Sequence, residues 1–101
     1  MATKRSKQIQ PATGVEKAFG LALREVRKSK AISQEQLSLM ADFDRTYISL
    51  IERGIQSPTV RTVVRLAHIL ETRPSTIVRR MELLLDQEPP QPEKPARRGR
   101  K

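Results

Sequence analysis

The chain contains no cysteine and no tryptophan, and only one histidine, His68. Without cysteine it can form neither a disulfide nor a thiolate metal site. A lone imidazole at helical spacing reads as a surface or boundary residue, so no metal and no cofactor is expected. Aromatic residues make up 3% of the sequence, and no stretch alternates apolar and polar positions, so no strand is expected. Long apolar runs are missing too. The longest aliphatic run, Leu83-Leu84-Leu85, falls far short of the about 20 residues that cross a bilayer. Met1 to Gln10 carries basic residues with no apolar stretch behind them, which is not the pattern of a secretory signal. A soluble protein acting in the cytoplasm, on its nucleoid, is the expectation. Nor do aspartate, serine and the single histidine assemble into an ordered nucleophile–base–orienter set, which argues against an enzyme.

Positive charge is abundant. Twenty basic and 11 acidic residues leave a net charge of +9. The excess is spread along the chain: +3 over Met1 to Thr13, +4 over Gly14 to Leu85 and +2 over Asp86 to Lys101. A polyanionic partner, nucleic acid before an anionic membrane, fits that balance.

The two ends differ from the middle. Met1 to Thr13 is a polar, basic arm with Lys4, Arg5 and Lys7. Asp86 to Lys101 holds four of the seven prolines and no large apolar residue. Both are expected to be disordered. The folded domain should be 14–85, a size that buries only about 60% of its unfolded surface and gains from a partner chain.

Within that span, Val15, Ala18, Phe19, Ala22, Leu23 and Val26 lie on one helical face, which predicts a first helix from Val15 to Ser29. Ser33, with Gln36 three residues on, predicts a capping box opening a second helix with Leu37 and Ala41 inside. That helix should stop near Met40 or Ala41. Asp44 is a competent N-cap for a third helix, Arg45 to Arg53, closed by Gly54 in a left-handed conformation. Ser57 followed by Pro58 predicts the start of a fourth helix, with Val60, Val63, Leu66, Ala67 and Leu70 inward. Pro74 sits in the first turn of a fifth, with Ile77, Val78, Met81, Leu84 and Leu85 behind it. The expected fold is all-α, five short helices between two basic tails.

The second and third helices, joined by a tight turn, have the form of the motif that lays its second helix in the major groove. The residues are more telling than the spacing. Arg27, Ser33-Gln34, Leu37, Tyr47-Ile48-Ser49, Ile51-Glu52-Arg53-Gly54, Pro58, Ala67 and Leu70 stand in an order that resembles the phage repressor and Cro-like (Xre-type) helix-turn-helix regulators, over about Phe19 to Ile77. Asp44 to Ser49 is also similar to the controller proteins of restriction–modification systems. Three positions depart from the family pattern: Asp42 stands at a turn position usually glycine, Ser38 where alanine is commoner, and Glu71 where glycine often follows the fourth helix.

Docking geometry assigns base reading to the first residues of the third helix, Arg45 and Thr46, and to Ser49 and Leu50 one turn on. Arginine pairs with guanine, threonine gives a hydroxyl or touches a thymine methyl, and leucine makes apolar contact alone. Arg53 and Arg61 flank the following loop and are candidates for phosphate contact. Tyr47 either turns its hydroxyl to a phosphate or is purely structural. Arg65, Arg79 and Arg80 read as solvated faces. The resemblance implies that Gln34 meets the phosphate backbone, that Arg27 and Glu52 form a partly buried ion pair, and that the protein regulates transcription on double-stranded DNA. Ile77, Val78, Met81, Leu84 and Leu85 exceed what so small a fold can bury, so a homodimer through the fifth helix is expected; the alternative is that this helix caps the monomer. A competing function is an antitoxin-like module that binds a protein partner and represses its own operon, although the short basic tail argues against a toxin-wrapping extension. The tail cations Lys94, Arg97, Arg98, Arg100 and Lys101 should add phosphate contacts without sequence preference. Arg98-Gly99-Arg100 is weakly similar to a minor-groove AT-hook core, with Lys101 where proline usually follows.

Overall fold

A computed structural model describes residues 14–87. The expectations for the basic arm (Lys4, Arg5, Lys7) and for the cationic, proline-bearing tail from residue 88 onward lie outside the described residues. Five helices follow one another: α1 Val15–Ser29, α2 Gln34–Ala41, α3 Arg45–Glu52, α4 Val60–Ile69 and α5 Pro74–Gln87. Among the described residues there is no strand.

Local chemistry accounts for most of these boundaries. Ser33 and Gln36 close a reciprocal capping box: the Ser33 hydroxyl accepts from the Gln36 N–H at 3.0 Å, and the Gln36 side chain accepts from the Ser33 N–H at 2.8 Å. The Asp44 carboxylate accepts from the Thr46 N–H and opens α3. Asp42 adopts φ 61°, ψ 44° and ends α2, the left-handed conformation that glycine takes more easily. The Phe43 N–H then reaches back to the Ser38 carbonyl at 2.9 Å, which satisfies one orphan acceptor of the helix end. Glu71 takes φ 56° after α4, and Pro74 is the first residue of α5.

Helix α4 starts later than Ser57-Pro58 suggests. Thr59 is extended (φ −76°, ψ 165°), and its hydroxyl accepts from the Thr62 N–H at 3.0 Å, so Thr59 is the cap and Pro58 precedes it. Val60 is consequently the first helical residue and stands 81% exposed, not inward. Val15, in the first turn of α1, is also exposed. Helix α5 continues through Asp86 to Gln87, two residues past the expected end.

The core joins all five helices. Phe19, Ala22 and Leu23 of α1 meet Leu37 and Ala41 of α2, Ile48 and Ile51 of α3, Leu66 and Ala67 of α4, Leu70, and Ile77 of α5. Contact is most extensive between α1 and α5. Ile77 is fully buried within the single chain. It therefore belongs to the monomer core and has no surface to offer a second copy.

Candidate nucleic-acid interface

Helix α3 is buried along Ile48, Ile51 and Glu52 and open on the other side. Arg45 and Thr46, its first two residues, are exposed; Ser49 and Leu50 are half-buried one turn on. The base-reading candidates thus share the outward side of a helix whose inward side is fixed in the core. Arg53, the residue capping the C-terminus of α3, and Arg61, in the first turn of α4, are exposed cations bracketing the intervening loop. The loop begins with Gly54 at φ 77°, packed so closely on α1 that an added Cβ would stand 2.8 Å from the Lys17 Cα.

The orientation of α3 against α1 rests on a buried carboxylate. Arg27 Nε donates to Glu52 Oε2 at 2.7 Å, and Nη2 to Oε1 at 2.9 Å, a bidentate pair with side chains only 8% and 2% exposed. Arg27 Nη1 also donates to the Ile32 carbonyl at 2.9 Å, tying down the α1–α2 connection. Gln34 Nε2 donates to Glu52 Oε1 at 3.0 Å. One N–H of its side-chain amide is thereby engaged by the pair; the second N–H and the backbone at the start of α2 are the groups Gln34 has to offer a phosphate.

Tyr47 packs its ring edge-on to Phe43, centroids 5.2 Å apart at 74°. Its hydroxyl points to Thr62 Oγ1 at 3.4 Å, a structural contact between α3 and α4.

Two of the arginines expected on solvated faces have definite partners. Arg65 Nε donates to the Ala41 carbonyl at 2.8 Å, and its guanidinium lies 5.4 Å from the Phe43 ring centre. Arg80 pairs with Glu25 across α1 and α5; that hydrogen bond and the carboxylate charge raise the Arg80 pKa above its ordinary value. Arg79 is exposed, as expected. Gly20 was not singled out in the sequence, yet an added Cβ would overlap the carbonyl oxygens of Ile51 and Glu52 and lie 2.8 Å from the Glu52 carbonyl carbon. A glycine inside a helical pattern is the signal that finds such a site. Nothing in the sequence marks Arg65, whose partner is 24 residues away.

On α5, Val78 and Leu83 are exposed, while Met81, Leu84 and Leu85 are half-buried, the first two against the core.

A capped helix, a left-handed turn and a second helix with its polar N-terminal end exposed define a helix-turn-helix module. Residues 23–77 match the HTH_3 helix-turn-helix family model, and the chain belongs to that family. It is similar to the control protein C.BamHI of Bacillus amyloliquefaciens, at 36% identity over 61 residues, 59% of this chain and 75% of that protein. Among solved structures it resembles the restriction-modification controller protein C.AhdI from Aeromonas hydrophila, with a TM-score of 0.59, 34% identity, and coverage of 60% of this chain and 92% of that one. The clp gene regulator ClgR from Corynebacterium glutamicum shares the fold at a TM-score of 0.66 and 24% identity, over 73% of this chain and 83% of that one. The first two are named as control or controller proteins and the third as a gene regulator.

Proposed function

We propose that the protein is a sequence-specific transcriptional regulator that binds double-stranded DNA as a homodimer, on a two-fold or pseudo-two-fold operator in the cytoplasm. The observation that carries this reading is the outward side of α3: Arg45 and Thr46 exposed at its N-terminal end, on a helix held by the buried Arg27–Glu52 pair. In the major groove Arg45 takes a guanine edge, and Thr46, Ser49 and Leu50 read the neighbouring pairs. The backbone at Gln34 and the side chains of Arg53 and Arg61 meet phosphates, which set position and affinity but carry no sequence information. Tyr47, bonded to Thr62, contributes by holding α3 and not by reaching DNA. The dimer forms through α5, with Val78 and Leu85 in the seam, Met81 and Leu84 beneath them, and Ile77 left in the core.

Arg45→Ala should cost about 1–3 kcal/mol in binding and relax preference at one base pair per half-site. A selected DNA motif unchanged by that substitution would remove Arg45 from the reading surface.

A further inference from the structure

We infer that Arg65 is a positioning residue that holds the α2–α3 turn shut and thereby sets the angle at which α3 meets DNA. The inference rests on the DNA reading above for its consequence, but not for its geometry.

Four contacts run from α4 through the turn and back to α4. Arg65 Nε donates to the carbonyl of Ala41, the last residue of α2, at 2.8 Å. The same guanidinium lies 5.4 Å from the centre of the Phe43 ring, within cation–π range. Phe43 meets Tyr47 of α3 edge-on at 5.2 Å, and the Tyr47 hydroxyl lies 3.4 Å from Thr62 Oγ1. Thr62 and Arg65 are one turn apart on α4, so the circuit closes on the helix where it began. The Thr59 hydroxyl supports Thr62 at 3.1 Å.

What the circuit encloses explains its need. The last carbonyls of a helix have no partner within it. Here the Phe43 N–H takes Ser38, the Asp42 N–H takes Leu39 at 3.3 Å, and Arg65 takes Ala41. Between them Asp42 sits at φ 61° without glycine's freedom. Such a conformation persists only where its surroundings over-determine it. Arg65 supplies a contact on each side of Asp42, one to Ala41 and one to Phe43.

The test uses the full chain and two DNA probes: a duplex recovered by the wild-type chain from a random pool, and a shuffled duplex of the same composition. Arg65→Met keeps an unbranched stem reaching as far as the arginine Nε and removes the guanidinium with its donors and charge. The ratio of affinities for the two duplexes should fall about tenfold, as when a bidentate base contact is weakened. The salt dependence on the shuffled duplex should not change. In the DNA-free protein, hydrogen exchange at the Phe43 amide should quicken about tenfold while the amides of Leu23 and Ile51 keep their protection. Arg65→Lys, which retains a donor for the carbonyl, should recover part of both losses. Phe43→Leu, which leaves the charge in place, should lower the affinity ratio as Arg65→Met does. Equal loss on both duplexes with a flatter salt slope would make Arg65 a phosphate contact and overturn the inference. Unchanged Phe43 exchange in Arg65→Met would overturn it as well, as would a lysine variant no better than methionine. A wild-type chain that cannot distinguish the two duplexes defeats the DNA reading and the claim about angle; the exchange measurement then still decides whether Arg65 holds the turn.

Discussion

Glu52 accepts three hydrogen bonds on one buried carboxylate, and they come from two different helices, Arg27 on α1 and Gln34 on α2. Removing the carboxylate leaves a guanidinium buried without its counter-charge, which costs about 3–5 kcal/mol. Glu52→Ala should therefore melt well below wild type; coincident thermal transitions would show that the pair is not holding α1 to α3. Gly20 predicts a second loss by a different route. Its Cα faces the carbonyls of Ile51 and Glu52 at the end of α3, so Gly20→Ala forces backbone apart, at about 1–3 kcal/mol by analogy with overpacked cores. A melt in which Gly20→Ala gains stability, as a helix interior alone would favour, would contradict the close approach. These residues differ in how visible they are in the sequence. Arg27 and Glu52 are 25 positions apart, and only the family resemblance connects them. Arg65 looks like any exposed helix cation, because nothing local records that the end of α2 lies beneath it.

Element boundaries were legible wherever one residue's local chemistry sets a helix end. The Ser33 and Asp44 side chains accept from backbone N–H groups two or three residues on, Gly54 takes the left-handed φ of 77° just after α3, and Pro74 suits the first turn of α5, so their chemistry is written locally. The start of α4 was not, because Ser57 and Thr59 are both competent caps, and the capping bond is the one the Thr59 hydroxyl accepts from the Thr62 N–H. Inward faces followed the 3.6-residue period in the helix middles and failed at first turns, where Val15 and Val60 project beyond the neighbouring helices. On α5 the period could not distinguish a core residue from a seam residue. Ile77 proved to be core, whereas Val78 is 37% exposed and Leu85 half-buried. Charging the latter two, Val78→Asp with Leu85→Asp, should give a folded monomer that binds DNA weakly. Sedimentation of this double variant as an intact dimer would move the interface off α5.

At the scale of the whole molecule, charge and size set the terms of the account. A net charge of +9 on 101 residues supplies attraction for a phosphate backbone, with no preference among sequences. In the proposed reading, preference comes from the few side chains at the exposed end of α3, and one such helix reads only a few base pairs. In the proposed dimer a second copy doubles the site and makes it symmetric, because two α3 helices related by a dyad require half-sites about one helical turn (roughly 34 Å), or a multiple of it, apart. No helix among the described residues is long and apolar enough to cross a membrane. Selection of bound duplexes from a random pool tests the central claim most directly, since half-site, spacing and symmetry emerge together. The account predicts an inverted repeat with centres about one helical turn, or a multiple of it, apart. Recovery of asymmetric, single half-site sequences alone, or of no common sequence, would contradict it.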